Sequence, residues 1–250
     1  MIKNIVYKNL LELKHQYRTS VVALIDPDCK NDDILEKLID NINECGFDVI
    51  FIGGSIIMDN NFDKRIKFIK TRTNLPIILF PGSSHQLSIN ADAILYLTLI
   101  SGRNPQFLIG EHVISAPKIY DIGLEVIPTG YILIDGGCKT SVEIMSNTKS
   151  IPPDKKDIIL CHALAGQYLG CKLIYLEMGS NSKNAIPGNL IKHIKNIVDI
   201  PIVVGGGIKS VSCAENIASS GADFIVMSSL LEELEDVKKI KNMCNLIHGI

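Results

Sequence analysis

The 250-residue chain has no tryptophan, no Cys-x-x-Cys pair, no long uninterrupted apolar run and no strong excess of charge of either sign. Each absence excludes something. Without tryptophan, any aromatic contact between subunits has to use phenylalanine or tyrosine. The seven cysteines (29, 45, 138, 161, 171, 213 and 244) are odd in number and irregular in spacing, which fits neither a zinc site nor a disulfide framework. They read as free thiols of a reducing compartment, and a cytoplasmic location is expected. No window approaches the ~18 apolar residues of a membrane span. Met1–Arg18 mixes Lys, Asn, Glu and His among its apolar residues, unlike a signal peptide. An apolar groove for a lipid substrate is still compatible with this composition. A net charge of −2 gives no reason to expect nucleic acid or a strongly anionic membrane as partner.

What is present is a repeating pattern. Val21–Ile25, Val49–Ile52, Pro76–Phe80, Ala93–Leu97, Glu125–Ile134, Leu173–Leu176, Pro201–Val204 and Phe224–Met227 are short apolar runs, each ending in a polar or glycine-rich turn. Continuous rather than alternating apolar runs mean strands covered on both faces, as in a parallel sheet wrapped by helices. The intervening stretches read as helices. Asp32–Glu44 places Ile34, Leu35, Leu38, Ile39 and Ile42 on one stripe. Asn189–Val198, Val211–Ser219 and Leu230–Ile247 follow suit, and Met1–Tyr17 predicts an extra helix before the first strand. Eight repeats without a linker predict a single TIM (βα)8 barrel over 1–250; a doubly wound open sheet is the alternative.

The chemically interesting residues stand just after strands, on what would be the C-terminal face of a barrel, where active sites are built. Gly205-Gly-Gly-Ile-Lys-Ser210 follows the seventh strand, and its backbone N–H groups can converge on an anion without Cβ obstruction. Ser210 can cap the next helix. Ser228 and Ser229 close the eighth strand, and loops seven and eight together form the usual barrel phosphate site. Tyr175 and Glu177 alternate onto one face of the sixth strand. There Glu177 can accept a proton from a substrate hydroxyl, or simply pair with a neighbouring lysine. Asp26 and Asp28 put two carboxylates at the mouth, which suits Mg²⁺ or a helix cap. Ser55 lies on the same rim. Arg103 and Lys139 are anion partners of low weight, and His85, His112 and His162 have no metal spacing.

The ordered set Leu24-Ile-Asp-Pro-Asp28, Phe51-Ile-Gly-Gly-Ser55, Leu99-Ile-Ser-Gly-Arg-Asn-Pro105, Pro128–Gly137, Tyr175–Ser180 and Val203–Lys209 resembles the geranylgeranylglyceryl phosphate synthases, including the PcrB-type heptaprenylglyceryl phosphate synthases. The resemblance spans about Val21 to Ser229. It implies a prenyltransferase that joins sn-glycerol 1-phosphate to an isoprenoid diphosphate, forming the first ether bond of an archaeal-type lipid. By position, it implies Mg²⁺ at Asp26 and Ser55. It implies glycerol 1-phosphate at Tyr175, Leu176, Glu177, Met178, Gly179, Ser180, Asn181, Gly206, Gly207, Ser228 and Ser229, with Glu177 catalytic. An apolar trough would hold the tail. The Ser-Gly-Arg-Asn-Pro loop resembles the second subgroup, which favours a geranylgeranyl chain, and the family implies a homo-oligomer. Two departures concern the diphosphate contacts. Cys29 intervenes before Lys30, and Leu24 stands where relatives carry lysine. Other phosphate-binding barrels, an isomerase or lyase, or a non-catalytic phosphometabolite binder, share loops seven and eight.

Overall fold

The computed structural model describes residues 4–180, 182–228, 231 and 237–249. Its strands fall on the continuous apolar runs: β1 Ser20–Ile25, β2 Val49–Ile52, β3 Ile77–Leu79, β4 Ala93–Leu99, β5 Glu125–Leu133, β6 Leu173–Glu177, β7 Ile202–Gly205 and β8 Phe224–Met227. Each pairs in parallel with the next. β8 returns to β1 through Val22↔Val226 and Ala23↔Met227. The sheet is closed, which excludes the open doubly wound alternative. Alternate residues go to opposite faces of each strand. Val22, Phe51, Tyr131, Tyr175 and Val203 pack inside the barrel. Ala23, Ile50, Ile52, Ile174 and Leu176 pack outward against the helices. Both faces are buried, so neither needs polar residues.

The helices are α1 Ile5–Tyr17, α2 Leu35–Cys45, α3 Phe62–Lys70, α4 Glu111–Ile122, α5 Ser141–Ser146, α6 Lys156–Tyr168, α7 Gly188–Lys195, α8 Val211–Ser219 and α9 Val237–His248. In α2 the stripe of Leu35, Leu38, Ile39 and Ile42 is buried, and Gly46 at φ 83° ends the helix. Much of the first part of the expected Leu230–Ile247 span lies outside the described residues. Among the described residues the pattern of one helix per strand fails at two places. Residues 80–92, between β3 and β4, form no helix, whereas β5 is followed by both α5 and α6. Pro81-Gly82-Ser83-Ser84 favours turns. Side chains then satisfy the loop's backbone: Gln86 Oε1 accepts from Gly82 N at 3.1 Å, and Gln86 Nε2 donates to Gly54 O at 2.7 Å.

The N-terminal end of the barrel is closed by a repeated device. Asp48, Asp92 and Asp223 stand one residue before even-numbered strands. Each accepts from an amide at the start of the preceding odd strand: Val21 N at 2.7 Å, Ile77 N at 2.8 Å and Ile202 N at 2.8 Å. The equivalent place before β6 holds Lys172. There Glu125 serves instead, accepting from Val6 N at 2.9 Å and Tyr7 N at 2.8 Å at the start of α1. Val6 and Leu10 of α1 join the inner core, so the extra helix plugs this end.

Candidate active site

A cavity of about 480 Å³ opens over the C-terminal ends of the strands. Its lining changes character from one side to the other. Glycine turns and Glu177 form one wall, Asp26, Lys30 and Ser55 another, and a largely apolar arm runs out past β4 to α4 and α5.

Glu177 ends β6 in register with Gly205 of β7. Its carboxyl is buried, and Gly179 N–H donates to Oε1 at 2.5 Å. Burial pushes its pKa up to about 7, with the Gly179 amide pulling the other way. The next turn has to be glycine. A Cβ on Gly205 would lie 2.6 Å from both Glu177 Oε2 and Tyr175 Oη. Gly206 has φ 86°, and a Cβ there would meet Glu177 Oε1 at 2.5 Å. Gly207 has φ 70°, with Asn184 O only 2.0 Å from its Cβ position. The three glycines therefore bring bare backbone up to the carboxylate. The Tyr175 hydroxyl is buried beside the Glu177 carboxyl, its contact with that group longer than an ordinary hydrogen bond. Burial, followed by the charge of Glu177, holds that phenol well above the ordinary tyrosine range.

On the other wall, Asp26 Oδ2 pairs with Lys30 Nζ at 2.7 Å. Asp26 Oδ1 is buried without a partner among the described residues, and Gly54 leaves it room: a Cβ there would sit 2.6 Å away. Asp28 caps the short Cys29–Asn31 turn, accepting from Lys30 N at 3.2 Å and from Met58 N at 3.0 Å. Behind this rim Arg65 is buried, bidentate on Asp59 and on Asp32, and donates to Pro27 O at 3.1 Å. It ties the loops after β1 and β2 together. Among the described residues no cluster of three or more His, Cys, Asp or Glu converges. A single carboxylate with an unpartnered oxygen beside a hydroxyl does fit Mg²⁺, which keeps waters and takes its remaining ligands from substrate phosphates.

The apolar arm includes Leu97 of β4, Phe107, and Val142 and Met145 of α5. His112 of α4 also lines it. Burial pushes the His112 pKa down, and the ring packs edge-on against Tyr96 at 4.4 Å.

The PcrB family model matches residues 13–246. The geranylgeranylglyceryl phosphate synthase of Chitinophaga pinensis is 42% identical over 246 residues, which is 98% of this chain and 97% of that protein. The chain belongs to the geranylgeranylglyceryl phosphate synthase (PcrB) family. The fold agrees with other members. The enzyme of Thermoplasma volcanium superposes with a TM-score of 0.91 at 33% identity over 98% of each chain. That of Thermoplasma acidophilum, solved with its substrate sn-glycerol-1-phosphate, gives 0.90 at 32% identity, covering 96% of this chain and 98% of that one.

Most of the residues that carry the family resemblance meet in the cavity. Asp26, Ser55, Tyr175, Glu177, Gly179, Ser180, Gly206, Gly207 and Ser228 all line it. Leu176 and Met178 do not: their side chains are buried in the layer between strands and helices, so only their backbone faces the rim. Asn181 and Ser229 lie outside the described residues. Arg103 turns back on its own loop, donating to Gly102 O at 2.7 Å, with His162 Nε2 at 3.3 Å, and Lys139 is exposed away from the cavity. Sequence reasoning missed Phe80, Tyr131 and Lys30, all of which line the cavity. Lys30 was one turn of chain from recognition, because Asp26 and Lys30 stand four residues apart.

Proposed function

We propose that the chain is a Mg²⁺-dependent prenyltransferase that joins sn-glycerol 1-phosphate to geranylgeranyl diphosphate with release of diphosphate. The product is geranylgeranylglyceryl phosphate, which carries the first ether bond of archaeal-type membrane lipids. The observation that carries this reading is the placement of Glu177. It is a buried carboxyl with a pKa of about 7, set between a triple-glycine turn and a second anion-binding wall, in a cavity that continues as an apolar arm.

The glycine turn and Ser180 hold the acceptor by its phosphate through backbone and hydroxyl donors. The Tyr175 hydroxyl, beside the Glu177 carboxyl, faces the same cavity and can reach the glycerol. Glu177 takes the proton of the acceptor hydroxyl as that oxygen bonds to C1 of the prenyl chain. The C1–O bond to diphosphate breaks with its electron pair leaving on the diphosphate. Asp26 and Ser55 would hold Mg²⁺, which when bound neutralises the leaving diphosphate. Lys30 supplies a further positive charge at that wall, in place of the basic residues that Cys29 and Leu24 displace. The apolar arm past Phe107 and Val142 takes the tail. Self-association belongs to this reading too, since α4 exposes Val113, Ile114 and Tyr120, and the end of α6 and its cap expose Tyr168 and Leu169.

Incubation with glycerol 1-phosphate, Mg²⁺ and prenyl diphosphates of graded length tests the assignment. An ether product is expected, best with the geranylgeranyl donor, and Asp26→Ala should abolish Mg²⁺-dependent turnover while leaving the circular dichroism melt unchanged. No ether from any donor would sink the reading.

A further inference from the structure

Between the two anion-binding walls lies a group of rings that the acid–base and metal chemistry leaves without a role. Phe80 follows β3 directly, is half-buried and lines the cavity. Its ring stacks on Tyr175 with centroids 5.2 Å apart, tilts toward Tyr131 at 6.0 Å and lies 6.3 Å from Phe51. β3 and β6 are three strands apart around a closed ring of eight, nearly opposite. Side chains from them that stack at 5.2 Å have to meet over the barrel axis. The backbone fixes this reach: Phe80 N donates to Ile52 O at 2.8 Å, and Gly53 leaves room for the Phe80 carbonyl, which a Cβ at that position would meet at 1.7 Å. One neighbour of Phe80 is therefore the β2 turn that carries Gly54 and Ser55 beside Asp26. The other is Tyr175, two residues from Glu177.

We propose that Phe80 is a catalytic residue that stabilises the positive charge developing on the prenyl donor. The inference rests on the prenyltransferase reading above. In that reaction the acceptor oxygen bonds to C1 while the C1–O bond to diphosphate breaks, its electron pair leaves on the diphosphate, and the acceptor proton passes to Glu177. The allylic carbons carry partial positive charge while the old bond breaks ahead of the new one. C1 must then sit between Asp26 and Glu177, and Phe80 is the ring that spans those walls. An aromatic face attracts a cation through its quadrupole, most strongly where water is excluded. Phe80 has no polar atom to compete as a nucleophile. Tyr131 and Tyr175 stay neutral beside it, because burial and then the charge of Glu177 hold both phenols far above their ordinary range.

The test separates ring electronics from ring shape. Phe80 is replaced by mono-, di- and trifluorophenylalanine, which keep its shape while draining charge from its face, and by leucine. The expected result is a kcat that falls stepwise with fluorination, reaching about tenfold at three fluorines, with the KM for glycerol 1-phosphate unchanged. Phe80→Leu should lose at least as much. A flat kcat across the fluorinated series, whatever leucine does, overturns the proposal and reduces Phe80 to packing. Failure of the unsubstituted chain to form any ether would instead remove the prenyltransferase reading, and this inference with it.

Discussion

The two ends of the barrel differ in how their buried acids are partnered. At the N-terminal end the buried acids are satisfied. Asp223 receives Lys195 Nζ at 2.5 Å, Lys14 Nζ at 3.2 Å and the Ile202 amide, while Glu125 receives two amides of α1. At the C-terminal end Asp26 Oδ1 is buried without a hydrogen-bond partner among the described residues, and Glu177 is buried with a raised pKa. An unsatisfied buried group costs about 1–3 kcal/mol, so the satisfied acids of one end stabilise the fold while the unpartnered groups of the other cost it stability. The strands are shared, and only the turns differ. The division therefore lies in which residues follow the strands and which precede them.

The sharpest way to break this comparison is at Glu177. If its carboxylate removes the acceptor proton, Glu177→Gln should lower kcat by about 10³-fold with little change in the KM for glycerol 1-phosphate. A raised carboxyl pKa also fixes the sign of the pH effects. The folded chain holds this proton up to about pH 7, so turnover should rise with pH through about 7 in the unsubstituted chain. Ionisation in the fold is penalised, so that carboxyl lowers stability progressively as pH climbs from the ordinary glutamate range to about 7 and by a constant amount above it. Glu177→Gln should therefore melt several degrees higher than the parent at pH 8 and at the same temperature at pH 4. A variant that loses acceptor affinity but turns over bound substrate at the parental rate would make Glu177 a binding residue only.

The opposite result is expected at the closed end. Asp223 is 2% exposed, and removing it leaves two ammonium groups and the Ile202 amide without their acceptor. Breaking a buried pair costs about 3–5 kcal/mol, and the partial exposure of both lysines places Asp223→Ala near the lower figure. A fall in Tm of roughly 6–12 °C follows for a domain of this length. Both KM values of the folded fraction should stay at parental levels. A changed KM with an unchanged Tm would mean that the two ends are not separate in function.

How much of this was readable in advance follows from the range of the interactions. The strands were legible because burial on both faces makes each run continuously apolar, and the triple glycine because crowding at Gly205 and a positive φ with crowding at Gly206 and Gly207 leave no room for a Cβ. The shared face of Tyr175 and Glu177 follows from the two-residue period of a strand. Phe80 was not legible, since its meeting with Tyr175 depends on barrel closure and not on any local pattern. The unhelical link after β3 was signalled by Pro81-Gly82, but a repeat-based reading overrides such a signal. The acids before even strands did leave a trace: Gly46-Phe-Asp48, Asn90-Ala-Asp92 and Gly221-Ala-Asp223 share a frame that self-comparison would find.

Ser210 tests where the boundary of the open end lies, with the smallest expected effect. It stands at the mouth and caps α8, accepting from Cys213 N at 3.2 Å, yet it is exposed and does not line the cavity. As a pure cap, Ser210→Ala should cost about 1 kcal/mol of stability and leave the KM for glycerol 1-phosphate unchanged. A phosphate held by the α8 N-terminus as well as by the glycine turn would weaken when the first turn of that helix frays. A rise in that KM alongside the lost stability would then extend the acceptor seat from Gly206 and Gly207 to the helix that follows them. Loss of stability alone would confine it to the turn.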